Sequence, residues 1–230
     1  MKVKEATKQY KYLDLITALF VTVLLVSNIV AVKIVSIGNF IVPGAVLVFP
    51  FAYIFGDILT EVYGYGKDRR VIWTGMICNL LMAGVFILVG ALPSAPFWHN
   101  QNAYDAILGL TPRIVGASII GYFVGEFVNS FVMAKMKLVT KGKMLWSRTI
   151  GSTLLGEFFD TLLFITIAFM GILPNSVLIT LLITQYLFKV AIEVLLTPVT
   201  YWVVNFLKRA ENEDYYDNKT NFNPFVLKNS

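Results

Sequence analysis

Six acidic side chains and one lysine stand inside stretches of sequence that are otherwise almost wholly apolar: Asp57, Glu61, Glu126, Glu157, Asp160, Glu193 and Lys189. An ionisable group at the centre of a bilayer costs about 2.5 to 3.5 kcal/mol on insertion scales, so such a set requires a polar interior. Residues three or four apart project from one side of a helix, which gives these groups shared faces. Asp57 and Glu61 are four apart, Glu126 and Asn129 three, Glu157 and Asp160 three, and Gln185, Lys189 and Glu193 form a stripe at four-residue intervals. Carboxylates in excess of amines suit protons, cations or a ligand rich in N–H donors. A structural role stands beside this reading: Lys189 with Glu193 makes a buried ion pair that holds helices together, and Glu61 lies near enough to a span end to be solvated.

Other residues add neutral chemistry. Ser27 and Asn28 offer hydrogen bonds, and Phe49, Phe51, Tyr53, Trp73, Phe123, Phe158 and Phe164 offer flat rings. Pro43-Gly44 and Pro50 fall at the start and in the interior of one apolar run, where proline removes a helix hydrogen bond and frees carbonyls to line a site.

The elements that must position these groups follow from composition. Of 230 residues, 57% are hydrophobic and 14% charged, with a mean hydropathy of +0.71, which no globular surface tolerates. A helix needs about 20 mostly apolar residues to span the hydrocarbon. Six segments qualify: Leu13 to Val35, Ile41 to Tyr63, Val71 to Leu92, Ile114 to Ala134, Arg148 to Met170 and Val177 to Leu207. The sequence thus reads as an all-α, polytopic six-helix bundle over residues 13–207, with a basic arm at 1–12 and a polar tail at 208–230.

Basic residues test this segmentation, since cytoplasmic connections hold the excess of Lys and Arg. One side collects Lys2, Lys4, Lys8 and Lys11, then Lys67, Arg69 and Arg70, then Lys135, Lys137, Lys141, Lys143 and Arg148, then Lys208, Arg209, Lys219 and Lys228. The other side has only Lys33 and Arg113. Both termini are therefore expected to be cytoplasmic in a multi-pass protein of the inner (plasma) membrane. The net charge of +5 is spread over these short segments, which argues against nucleic acid as a partner. The first apolar run is about twice a signal-peptide core and reads as a retained span. The outer segment from Pro93 to Pro112, with His99 beside Trp98, reads as an ordered cover, and the tail as a solvated end in which Phe222, Pro224 and Phe225 could dock.

Several chemistries lack their parts. The sequence has no GxxxxGK[ST], GxSxG or HExxH motif, its one histidine lies in the outer segment, and its one cysteine, Cys78, cannot form an intramolecular disulfide. No enzyme activity and no cofactor are expected. Glu126 and Glu157 each lie about 13 Å from the basic side on antiparallel spans. They open a short echo, Gly125-Glu126-Phe127-Val128-Asn129-Ser130 against Gly156-Glu157-Phe158-Phe159-Asp160-Thr161, of the kind found where transporter repeats meet.

An ordered set of motifs resembles the queuosine precursor transporter family, of the vitamin uptake transporter type. It comprises Ser27-Asn28-Ile29-Val30-Ala31-Val32-Lys33, Phe49-Pro50, Gly56-Asp57-Ile58-Leu59-Thr60-Glu61-Val62-Tyr63-Gly64, and Arg69-Arg70. It continues with Gly125-Glu126-Phe127, Asn129-Ser130, Lys141-Gly142-Lys143, Leu145-Trp146, Arg148-Thr149-Ile150-Gly151-Ser152-Thr153, Gly156-Glu157 and Asp160-Thr161. The resemblance implies six transmembrane helices and uptake of a deazapurine base, 7-cyano- or 7-aminomethyl-7-deazaguanine or queuine, for salvage into transfer-RNA queuosine. Some members of that family carry Gln or Asn where this chain has Glu126 or Glu157.

For such a base, a carboxylate can accept both N1–H and the exocyclic amine, and a ring can stack on its face. On this reading Glu126, Glu157 and Asp160 form the recognition edge, Asp57 and Glu61 line the inner gate, and Lys189 and Asn28 meet O6 and the ring nitrogens. Asn129, Gln185 and Glu193 complete the polar lining, and a carboxylate carries the proton if ions drive uptake. Alternatives from other classes are a substrate-binding subunit that needs separate energising subunits, a membrane-embedded enzyme with Mg²⁺ or Mn²⁺ on the carboxylates, and a channel. Homo-oligomerisation is left open.

Overall fold

The computed structural model describes residues 8–37, 40–109 and 112–226; Lys2, Lys4 and Lys228 of the charge pattern lie outside the described residues. Among the described residues, six helices are long and apolar enough to cross a membrane. The order is α1 (Leu13–Val30), β1 (Ile34–Ile37), β2 (Phe40–Pro43), one 3-10 turn (Gly44–Leu47), α2 (Phe49–Tyr63) and α3 (Tyr65–Gly90). The short α4 (Gln101–Leu108) then leads to α5 (Pro112–Val139), α6 (Leu145–Phe169) and α7 (Asn175–Glu211).

The membrane body is helical, as composition requires, but the first connection departs from the expected spans. Helix was expected to Val35 and again from Ile41; instead an antiparallel hairpin pairs Ile34 with Pro43 and Ile37 with Phe40. Its Ile, Val and Phe residues favour extended backbone. Pro50 consequently kinks nothing. The helix begins at Phe49, so Pro50 occupies the first turn, where an N–H would have no helical partner, and no carbonyl is freed.

α2 is the central helix, with 12 of its 15 residues buried, and α1, α3, α5 and α7 pack around it. The outer surfaces of α3 and α7 display Leu81, Leu88, Leu187 and Leu195, apolar groups that belong against lipid. Pro198 inside α7 has no N–H to give to the carbonyl of Val194.

The most extensive helix pair is α5 with α6, and the echoed glycines meet at its centre. A β-carbon on Gly125 would stand 3.0 Å from the Gly156 carbonyl oxygen and 2.7 Å from Asp160 Cβ. One on Gly156 would stand 2.9 Å from both the Gly125 carbonyl oxygen and Asn129 Cβ. The contact is reciprocal: Gly125 faces Gly156, Asp160 sits over one and Asn129 over the other. Alanine is the better helix former by about 1 kcal/mol, yet here its methyl overlaps backbone, and overpacking costs about 1 to 3 kcal/mol. Gly156→Ala is therefore expected to lower the melting temperature of detergent-purified protein; an unchanged or raised value would show that the helices simply part.

Both described chain ends lie on the face that carries the basic connections. Glu211 accepts the backbone N–H groups of Lys11 and Tyr12 at 3.0 and 2.7 Å, placing a carboxylate at the start of α1, and Lys8 Nζ donates to Glu213 at 2.9 Å. The tail is not a free solvated end. The backbone N–H of Tyr65 donates to Asp217, Arg69 donates to the carbonyls of Asn221 and Asn223, and Trp73 Nε1 donates to that of Pro224. Phe222 packs on Tyr65 and Phe131, and Phe225 on Trp73 and Phe123. Its aromatic residues and the unpaired donors at the start of α3 outweigh the polarity that made it read as solvated.

Candidate functional site

Helix spacing lines up two stripes through the protein. Phe49, Tyr53, Asp57 and Glu61 follow at intervals of four down α2, while Arg148, Ser152, Gly156 and Asp160 rise at the same interval along α6. Each stripe covers about 18 Å. Glu61 meets Arg148, Asp57 meets Ser152, and Tyr53 meets Gly156, so the two helices share three polar levels.

The level farthest from the basic face borders a cavity of about 510 Å³. Its polar lining is Ser27, Asn28, Asn79, Ser118, Asp160, Gln185 and Lys189, with Phe49, Phe164 and Phe169 as flat walls. Ala106 of α4 and the following Gly109 border it, so the outer segment does cover the site; His99 is exposed and is not part of the lining. Lys189 Nζ donates to Glu157 at 2.8 Å and to Asp160 at 2.6 Å, and lies 4.3 Å from the Phe49 ring centroid. Across the cavity, Asn28 Nδ2 donates to Asn79 Oδ1 at 3.2 Å and Ser118 Oγ to Asn28 Oδ1 at 3.0 Å. The cavity thus offers a cation, carboxylate oxygens and amides in one lining, sized for a small ligand.

The middle level is closed. Asn129 Nδ2 donates to Asp57 Oδ1 at 2.8 Å and Ser152 Oγ to the same oxygen at 3.3 Å. Thr60 and Ser130 both donate to Asp68 Oδ2 from below. Both oxygens of Glu126 and of Glu193, Asp57 Oδ2, Asn129 Oδ1 and Thr153 Oγ1 are buried without a hydrogen-bond partner among the described residues.

At the basic face Glu61 is surrounded. Arg148 grips it with Nε at 3.2 Å and Nη2 at 2.8 Å, Lys208 reaches it at 2.6 Å and Lys137 at 3.5 Å. Lys137 and Lys208 also hold Asp214, at 2.5 and 2.9 Å. Burial works to raise the Asp214 pKa, but the bonds from these two lysines outweigh it and hold the carboxyl below its ordinary value. This cluster ties α2, α5, α6, α7 and the tail together and closes the path below the middle level.

The residues expected at the recognition edge, in the polar lining and at the inner gate are distributed over the three levels. Glu157, Asp160, Lys189, Asn28 and Gln185 meet at or beside the cavity; Asp57, Glu126, Asn129 and Glu193 lie in the closed level; Glu61 belongs to the ion cluster, not to a solvated end. Lys189 pairs with Glu157 and Asp160 rather than with Glu193, because the carboxylates of α6 face it across the α6–α7 contact. Sequence reading missed Asn79, Ser118 and Asp68, and gave Arg148, Lys137 and Lys208 only a topological role. The four-residue series from Arg148 to Asp160 carried the signal for Arg148, and an amide within the apolar run of α3 the signal for Asn79.

Residues 43–203 match the family model described as "Putative vitamin uptake transporter". The chain is 30% identical over 148 residues to the "Probable queuosine precursor transporter" of Bacillus subtilis (strain 168), covering 63% of this chain and 64% of that protein. It is 27% identical over 208 residues to the "Queuosine precursor transporter" of Escherichia coli (strain K12), covering 89% of this chain and 91% of that protein. No solved structure matches.

Proposed function

The chain belongs to the vitamin uptake transporter family, a multi-pass membrane protein, and from that premise we propose that it imports a queuosine precursor, taken up as a 7-deazaguanine base. The observation that carries this reading is the cavity, set away from the basic face beneath the outer segment and separated from that face by the Glu61 cluster. Asp160 accepts from the N1–H and exocyclic amine of the base, by the chemistry with which carboxylates read base amino groups. Lys189 and Gln185 donate to O6, Asn28 and Asn79 meet the ring nitrogens, and the rings of Phe49 and Phe164 sandwich the flat face. Glu157 holds Lys189 in place for this contact.

Names of the relatives support the substrate class, and the positive-inside pattern supports import toward the basic face. The test is complementation. Cells lacking queuosine synthesis and native uptake, given this chain alone, should recover transfer-RNA queuosine when fed 7-cyano-7-deazaguanine, 7-aminomethyl-7-deazaguanine or queuine. Recovery with one and not another identifies the base. No recovery with any of the three, despite confirmed membrane insertion, would overturn the reading.

A further inference from the structure

The reciprocal contact of Gly125 with Gly156 makes the α5–α6 crossing a local two-fold arrangement, and the side chains on its two sides correspond. Asn129 over Gly156 answers Asp160 over Gly125, and Glu126 answers Glu157. The two halves differ in their charge partners. Glu157 and Asp160 share the ammonium of Lys189, whereas Glu126 makes neither a hydrogen bond nor a salt bridge among the described residues. Asp57 Oδ2, Asn129 Oδ1 and Thr153 Oγ1, all buried, are equally unpartnered in this level. The hydroxyls of Thr153 and of the equally unpartnered Tyr53 can donate one hydrogen bond each, but the carboxylate and amide oxygens only accept when the acids are ionised, so what the level lacks is a positive charge.

Space and charge select the occupant. None of Asp57, Glu126, Asn129 and Glu193 lines the cavity, and Glu126 Oε2 lies 2.9 Å from where a β-carbon on Gly56 would stand. A metal ion with its ring of oxygen ligands needs room that this packing does not leave. The titratable groups that act on Glu126 are Tyr53 and Asp57 on α2, Asp68 on α3, Tyr122 on α5 itself, and Glu157 and Asp160 on α6, none of them a cation, while Lys189 of α7 is held by two of these carboxylates. Both Glu126 oxygens are buried without a partner and the one nearby ammonium is already shared by Glu157 and Asp160, so a proton is the positive charge that fits the space.

We propose that Glu126 is the binding site of a coupling proton, which it takes from the cavity side across the α5–α6 crossing and passes to Asp57 on the way to the basic face. This rests on the transport reading above. The Glu126 oxygen gains an O–H bond from a proton donated on the cavity side and breaks it toward Asp57, so one proton moves and no electrons are exchanged. Asp57 is placed for this by Asn129 and Ser152, which hold one oxygen and leave the other free.

The experiment uses purified full-length protein in liposomes, sodium-free potassium buffer and labelled 7-aminomethyl-7-deazaguanine. Wild type is expected to accumulate the base when the interior is alkaline and to acidify an internal pH dye when the base is added. The Glu126→Gln variant is expected to lose at least about tenfold of the gradient-driven accumulation while downhill equilibration of the base remains detectable. Accumulation by wild type under a sodium gradient but not a pH gradient, an unchanged dye signal, or gradient-driven accumulation by Glu126→Gln would each overturn the proton site. Wild type that equilibrates none of 7-aminomethyl-7-deazaguanine, 7-cyano-7-deazaguanine and queuine would instead overturn the transport reading.

Discussion

Uptake by a Lys189→Met variant is expected to fall to about one hundredth of wild type or less, with membrane abundance unchanged. Lys189 joins Glu157 at 2.8 Å and Asp160 at 2.6 Å, and all three are buried. Removing one partner of a buried ion pair costs about 3 to 5 kcal/mol, chiefly because the charge left behind is uncompensated. If about 3 kcal/mol of that is felt by the base-bound state, the rate falls by roughly two orders of magnitude. The loss has two sources in the proposed complex: the donor to O6 disappears, and Asp160 is no longer held in place against the cavity. Asp160→Asn, which keeps shape but not charge, should likewise abolish uptake. A Lys189→Met/Glu157→Gln double variant separates folding from recognition, because it relieves the excess negative charge without restoring the donor. It should recover thermal stability in detergent and still not transport; wild-type uptake by Lys189→Met would remove the lysine from the recognition edge.

The helix count, the grouping of basic connections and the polar faces were legible because each rests on local spacing and composition. Lys189 could be placed beside carboxylates, but not beside the correct ones, since Glu193 on its own helix and Glu157 on another are equivalent in sequence terms. Only the α6–α7 contact decides between them. The echo from Gly125 and Gly156 named the centre of the molecule without revealing that the glycines touch each other. Pro50 misled because a proline inside an apolar run looks like a kink until the helix start is known. Arg148 looked like a topological marker because positive charge at a span end has that use in any membrane protein; its burial against Glu61 depends on α2 ending at the same depth. In the tail the docking residues Phe222, Pro224 and Phe225 were legible from their apolarity, but not their partners, which lie on α3 and α5 about a hundred residues away or more.

Glu61→Gln should be the most destabilising substitution on the basic face, lowering the melting temperature of the purified protein by about 10 °C. Three cations converge on this one buried carboxylate, from α5, α6 and α7. Lys137 and Lys208 retain Asp214 when it is neutralised, but Arg148, with no exposed surface, keeps only Thr140 and the carbonyl of Lys143 as acceptors. A buried cation stripped of its counter-charge costs about 3 to 5 kcal/mol, and in a chain of this size each kcal/mol is worth roughly 2 to 4 °C. The sign of the second substitution distinguishes this account from simple loss of packing. Adding Arg148→Met to Glu61→Gln removes the orphaned charge, so the double variant should melt above the single one even though a further native contact is gone. Loss of packing alone predicts the reverse order. The same comparison bears on function, because the cluster joins the helices that must separate if the cavity is to open toward the basic face. The double variant should therefore leak the base down its gradient faster than wild type in liposomes, and a double variant both less stable than Glu61→Gln and no leakier than wild type would show that the cluster neither pairs nor closes as its geometry implies.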